Sequence, residues 1–455
     1  MRRTWGRLAA AAALAAVWVS GCGDDDTSAP DDGATESDGA DADGDGDADA
    51  AVEAEGADGD GDAGADVEAD GDGEAEAGAD ADGDGDADGG HLCPRDPAPA
   101  DRRRYVVVSR PYDASGAGAA TYEVLALGTG GELERGGATF SMGRSTAGEI
   151  AFTPDGELGF VAQEDGTVGV FRLDGAGTPE VLAAGLEGAF YASSVTIDPL
   201  GDVAYVLDSE WRAADGGGGI YALRIGCDDS VFDAGMVAPA KLPYAMEFVP
   251  GRPDRTVVAA ADILDVTVGP DVHLLDWGTS PAVLSRADAF GDDEQIVSAG
   301  AVTRDGRYAL FADNAAFSGI PNRVAVVAID GDGLRAVGML EPFDDPVALA
   351  ASPFDDAVLV ALGFGDAIEW LSYDPAHPDE PFVAMGPLAY AGGRPQLPSA
   401  AVQVERGTLA GLVLVAEVSG IRRVRFDGAG GVEDLGRFEF GSGLDNIVGA
   451  IGVQP

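Results

Sequence analysis

From Glu149 onward the chain repeats one pattern of short apolar runs and tight turns roughly every fifty residues. Glu149-Ile-Ala-Phe-Thr-Pro-Asp-Gly156 leads into Leu158-Gly-Phe-Val-Ala162, then Thr167-Val-Gly-Val-Phe-Arg-Leu173 and Glu180-Val-Leu-Ala183. Each run is four to eight residues long, rich in Val and flanked by Gly, Pro or Asp, which is the pattern of strands joined by hairpins. The same phrase returns at Ser194-Val-Thr-Ile-Asp-Pro-Leu-Gly201, Tyr244-Ala-Met-Glu-Phe-Val-Pro250 and Ser298-Ala-Gly-Ala-Val-Thr-Arg-Asp-Gly306. Two more copies begin at Val347-Ala-Leu-Ala-Ala-Ser-Pro353 and Ser399-Ala-Ala-Val-Gln-Val404. No long helical stripe interrupts them. Four-stranded units at a fixed period, each unable to bury both faces alone, predict an all-β radial array.

The ends of this region complete the pattern. Asn446–Val453 is a lone apolar run, and Tyr105–Val108, Tyr122–Leu127 and Ala138–Phe140 are three runs without a fourth. Joined, they make one more unit. The expectation is a seven-bladed β-propeller closed by N- and C-terminal strands, because pairing the two termini removes the open sheet edge.

The phrase around Pro154-Asp155-Gly156 and Val168–Asp174 resembles the repeat of the lactonase-type propellers that carry YVTN sequences. The resemblance spans about residues 104–455. The four-residue signature is replaced here by Phe160-Val-Ala-Gln163 and Tyr205-Val-Leu-Asp208. It implies the propeller fold and points toward sugar-lactone hydrolysis, but supplies no motif from which a catalytic residue can be transferred.

Residues 1–21 read as a signal peptide: Arg2, Arg3 and Arg7 precede an apolar stretch from Leu8 to Val19, too short for a comfortable membrane span. Val19-Ser20-Gly21-Cys22 resembles the bacterial lipobox, which implies lipid attachment at Cys22. Gly23 after it implies, by the same likeness, export to the outer membrane, facing the periplasm or the cell surface. Residues 22–92 read as an acidic tether. Between 24 and 90 there are 28 acidic residues and no Lys or Arg, and almost no large apolar side chain to offset the entropy of ordering. Asp41-x-Asp43-x-Asp45-Gly46 resembles the start of a calcium loop, but its twelfth position is Val52 rather than Glu. Residues 93–455 form the propeller.

The formal net charge is −54, and the part outside the signal and tether still carries 53 acids against 24 bases. Such a field repels nucleic acid, which is excluded as a partner; it also serves solubility. Of three cysteines, Cys93 and Cys227 remain for a disulfide in an oxidising compartment, or stand as separate thiols. Both fall on the same predicted face.

The sequence contains no G-x-S-x-G elbow, no metal-type Cys cluster and only three His, so a catalytic set is left unknown. Candidate ligand-binding residues lie where crossovers between blades share one face: Trp211, Arg212, Tyr244, Glu247, Gln396, Asp445 and Asn446. Trp211 with Arg212 would stack on a ring or a partner, or simply lid the blade. Glu149, Asp344 and Asp345 would face the channel as oxygen donors for Ca2+ or Mg2+, or line a hydrated acidic funnel. The reading is a monomeric, membrane-tethered module that binds an unknown protein or small-molecule ligand. The alternatives are a lactonase-like hydrolase and a calcium-dependent surface adhesion component.

Overall fold

The computed structural model describes residues 93–455 apart from 111–119, 137, 147, 183–185, 187–191, 210–217, 261, 264–270, 279, 292–296, 315–321, 342 and 442–445. The signal, the tether, Cys22, Trp211, Arg212 and Asp445 therefore lie outside the described residues.

Seven antiparallel sheets follow one another around a ring, making a seven-bladed propeller. From inner to outer strand, blade one is Ala151–Phe152, Leu158–Ala162, Val168–Leu173 and Pro179–Leu182. Blade two is Ala192–Ile197, Val203–Asp208, Gly219–Ile225 and Val231–Lys241, and blade three Ala245–Val249, Arg252–Ala260, Asp271–Asp276 and Ala282–Ala287. Blade four is Val297–Val302, Tyr308–Asp313, Arg323–Asp330 and Gly333–Leu340. Blade five is Pro346–Ala351, Ala357–Leu362, Ala367–Tyr373 and Phe382–Pro387, and blade six Ala400–Val404, Leu412–Glu417, Gly420–Phe426 and Val432–Glu439.

The closing blade draws on both termini. Ala450–Val453 is its inner strand and pairs antiparallel with Arg104–Ser109, with Val106 opposite Val453 and Val108 opposite Ile451. Thr121–Leu127 follows, flanked by the short Leu133–Glu134 and Thr139–Ser141. On the lumen side Ala450–Val453 also pairs, in parallel, with Gly148–Glu149. Gly452 permits this approach: a Cβ there would sit 2.4 Å from the Ile150 carbonyl oxygen. The seam thus joins three separate stretches of chain, and the expected closure by the terminal strands is observed.

The turns between inner and second strands share one chemistry. In blade one the Thr153 hydroxyl donates to Asp155 at 2.6 Å, Gly156 N–H closes on the Thr153 carbonyl at 2.6 Å, and Gly156 takes φ +67°. Blade four repeats it with Thr303, Asp305 and Gly306 at φ +69°. These turns and the third-to-fourth hairpins make up one face of the ring, here the turn face. The crossovers between blades and the second-to-third loops make the other, the crossover face.

A strap of chain runs along the turn face before the first strand. Cys93 is disulfide-bonded to Cys227, with Cα atoms 5.2 Å apart. Arg95 N–H donates to the Leu200 carbonyl, while its guanidinium grips Asp155 at 2.8 Å and Asp229 at 2.6 Å. Ala98 N–H reaches the Pro154 carbonyl, and Arg104 reaches the Arg406 carbonyl at 3.0 Å. The strap therefore ties blades two, one and six across the closing seam.

Hydrophobic clusters fill the spaces between neighbouring sheets. One joins the closing blade to blade six through Val106, Val108, Leu414, Ile451 and Val453. Another joins it to blade one through Tyr105, Val107, Tyr122 and Phe171. The apolar alternation is thus spent on blade-to-blade packing, and the sheet faces have no other layer to cover them.

Candidate active site in the central channel

Inner strands converge on the axis, so they carry small side chains. Counting back from the turn, Ala245, Ala299, Ala348 and Ala400 occupy the position that Glu149 fills in blade one. Ala151, Ala301 and Ala350 occupy that of Glu247 in blade three. Two glutamates therefore project from walls built otherwise largely of alanine.

Burial, and then the negative charge of Glu405, push the Glu149 carboxyl up to about 7. Glu247 is raised well above the usual carboxylate range by burial and by the charges of Glu149 and Glu405. Glu149 keeps an exposed side chain and Glu247 is intermediate, so the protein wall surrounds them while lumen water still reaches them. Among the described residues neither makes a hydrogen bond or an ion pair. Two carboxyls near one another with raised proton affinities can act as an acid and a base in the same reaction.

Glu405 was not among the candidates legible in the sequence, and neither was its partner. Glu405 and Arg304 stand at the turn position occupied by Pro154, Pro199, Pro250 and Pro353 in other blades. Arg304 Nη1 lies 3.8 Å from Glu405 Oε2, joining blades four and six at the turn-face end of the lumen. Both side chains are more than half exposed, so the pair is weak. A charged residue replacing a repeated proline was the signal available.

The other predicted residues are distributed differently. Tyr244 packs on the cluster between blades three and four. Gln396 and Asn446 flank the turn after Leu412–Glu417: Gln396 N–H donates to Glu417 at 3.2 Å and Ser419 N–H to the Asn446 carbonyl at 3.1 Å. Behind that turn lies a buried ion network. Arg422, 1% exposed, binds Glu417 at 2.5 Å and Asp434 at 2.7 Å, and stacks over Tyr390 at 5.5 Å. Blade four repeats the device with Arg323 and Asp313 at 2.8 Å, Arg323 lying over Phe290. These arginines brace second-to-third connections on the crossover face.

Asp345 is also a brace. Its carboxylate accepts from Asn314 at 3.3 Å and from Phe364 N–H at 3.3 Å. Burial raises it to about 6, against those hydrogen bonds. Glu149 belongs with Glu247 and Glu405 instead, and among the described residues no group of three or more His, Cys, Asp or Glu side chains is placed to hold a metal ion. The donor set expected for Ca2+ or Mg2+ from Glu149, Asp344 and Asp345 does not gather, so no step below runs through such an ion.

The fold defines the class: a seven-bladed propeller with polar chemistry in its lumen. Among solved structures it is similar to a putative 6-phosphogluconolactonase from Bacteroides fragilis, at 12% identity over 79% of this chain and 99% of that one, TM-score 0.54. It is equally similar to a periplasmic gluconolactonase of Pseudomonas aeruginosa, at 15% identity over 78% and 99%, TM-score 0.54. A functionally unknown protein from Desulfotomaculum acetoxidans matches at 11% identity over 77% and 98%, TM-score 0.52. At such identities the likeness is one of fold. No protein-family model and no curated protein matches the sequence.

Proposed function

We propose that the protein is a lactonase-like hydrolase that opens a sugar lactone in the mouth of the channel, with Glu149 as base and Glu247 as acid. One observation carries this reading: two neighbouring lumen carboxyls, Glu149 pushed up to about 7 and Glu247 raised well above the usual carboxylate range. As a carboxylate, Glu149 takes a proton from water as its oxygen bonds to the lactone carbonyl carbon. Glu247, carrying its proton, donates a hydrogen bond to the carbonyl oxygen as negative charge develops there. When the ring C–O bond breaks, the leaving alkoxide recovers the proton from Glu149, which returns to its starting state. The likeness to gluconolactonase structures supports the substrate class.

The arginine-led apolar N-terminus and Cys22 support an extracytoplasmic, lipid-anchored protein at the outer membrane. A second reading, binding without turnover, is favoured by the lack of any hydrogen-bond partner for Glu149 and Glu247 among the described residues. A neutral polyol would fill that need.

The test is hydrolysis of glucono-1,5-lactone above the uncatalysed rate. Activity should rise with pH through about 7, where Glu149 loses its proton, and fall once Glu247 ionises. Glu149→Gln should cost on the order of 100-fold or more in kcat/KM with melting unchanged. Wild-type protein without turnover, or a fully active Glu149→Gln, overturns the hydrolase; saturable binding of the lactone without turnover leaves the binding module.

A further inference from the structure

Glu405 stands in a turn built differently from its counterparts. Blades one, two, four and five pass from inner to second strand through 153–157, 198–202, 303–307 and 352–356. Blade six takes the longer stretch 405–411 and winds Gly407–Leu409 into a short 3-10 helix. The strap pins this connection from the turn face. Thr408 N–H donates to the Asp101 carboxylate at 3.2 Å, and the Arg406 carbonyl accepts from Arg104 at 3.0 Å. The two stretches touch so closely that a Cβ on Gly407 would collide with the Ala100 carbonyl oxygen. The backbone that carries Glu405 is therefore held in place by a second segment of chain.

From the other side Arg304 of blade four reaches Glu405, Nη1 to Oε2 at 3.8 Å. The neighbouring charges are engaged elsewhere. The Arg406 charge falls on Arg102 and Arg104 in the strap. Asp305, next to Arg304, accepts from the Thr303 and Tyr373 hydroxyls at 2.7 Å each, and Asp355 accepts from Asp305 N–H at 2.9 Å. The Glu405 charge acts on both Glu149 and Glu247, and that of Glu149 acts on Glu247. Between walls built largely of alanine, like charges are screened less than in open water, and each favours the protonated form of the others.

We propose that Glu405 is a positioning residue for the lumen pair: its strap-pinned turn supplies a fixed negative charge that keeps a proton on the lumen glutamates near neutral pH, and Arg304 sets how much of that charge they feel. Its catalytic meaning rests on the acid–base reading of Glu149 and Glu247. Replacing a repeated turn proline by Glu in blade six and by Arg in blade four then places a charge and its moderator at the same end of the lumen.

Carbon NMR titration of the full chain, labelled at its glutamate carboxyls, tests this without any substrate. The Glu149 and Glu247 signals are assigned by their loss in Glu149→Gln and Glu247→Gln. Glu405→Gln should lower both midpoints by about half a pH unit, the exposure of Glu405 keeping the effect below that of a buried charge. Arg304→Gln frees the Glu405 charge and should raise both by a smaller amount, and the double variant should match Glu405→Gln. A merely structural role would not shift the two single variants in opposite directions. If Glu405→Gln unfolds, the upward shift in Arg304→Gln still decides. Unmoved midpoints in folded Glu405→Gln, or an Arg304→Gln shift that is absent or downward, overturn the proposal. With glucono-1,5-lactone, the acid limb of kcat/KM should move down in Glu405→Gln by the same amount. Moved midpoints in a protein that turns over no lactone uphold the role of Glu405 and overturn the hydrolase alone.

Discussion

Removing Arg422 should cost the protein several kilocalories, with a characteristic pH signature. The guanidinium is 1% exposed, and both carboxylates it holds, Glu417 and Asp434, are fully buried. In Arg422→Ala, Glu417 keeps, among the described residues, the Gln396 N–H at 3.2 Å and Arg437 at 3.6 Å. Asp434 keeps the N–H groups of Ala391 at 2.7 Å and Gly436 at 2.9 Å. Breaking a buried pair this way typically costs about 3–5 kcal/mol, because the surviving charge is left without its partner. A folded part of ~350 residues has an unfolding entropy near ~0.7 kcal/mol/K, so the melting temperature should fall by about 4–7 °C. The sign of the pH effect follows from linkage. Burial already raises the Glu417 carboxyl, and losing the Arg422 charge that opposes this raises it further above its unfolded value of about 4, so the folded variant binds more protons. The stability deficit against wild type is then smallest at low pH and grows as pH rises toward the folded value of Glu417. Calorimetry at pH 4.5, 6 and 8 measures it. A loss below about 1 kcal/mol, or a deficit independent of pH, would refute the reasoning.

Three further outcomes are expected. Gly452→Ala forces a Cβ to within 2.4 Å of the Ile150 oxygen at the closing seam. It should destabilise by about 1–3 kcal/mol, whereas Gly338→Ala, with open space around it, should not. Replacing Cys93 and Cys227 by Ser opens a loop of 134 residues; the chain-entropy contribution is about 5 kcal/mol, read from urea midpoints, and two thiols labelled in wild type without reductant would refute the bond. His273 is buried, with Nε2 3.3 Å from the Ala260 carbonyl, and burial depresses it from 6.5 to about 4. The unfolded chain therefore binds the extra proton between those values, so stability should fall as pH drops through that window by up to about 1.4 kcal/mol per unit. His273→Gln should flatten the slope in pH-dependent melts; an unchanged slope assigns the acid sensitivity elsewhere.

The repeat and its closure were legible because they rest on local periodicity: turns such as Pro154-Asp155-Gly156 and alternation in runs such as Tyr105–Val108 speak through neighbours in the chain. The lumen was half legible. Glu149 and Glu247 stand out on inner strands, but their partner Glu405 is more than 150 residues from either and sits in a turn, where polar residues are unremarkable. Asp344 and Asp345 mislead for a related reason. Only the register of Pro346–Ala351 against Ala357–Leu362 brings Asp345 back toward Gly363 and Phe364 rather than toward the axis. The bracing arginines were invisible, since a guanidinium buried by a sheet contact looks in sequence like any surface charge.

The strap changes how the ring would respond to a pull from the N-terminal side. Tension arriving at Cys93 meets a covalent bond to blade two, and next the Arg95 clasp, before it reaches Arg104–Ser109. Without that detour the load would fall on the ladder between Arg104–Ser109 and Ala450–Val453, which could be peeled one rung at a time. The weakest seam of the circle is thereby taken out of the line of force.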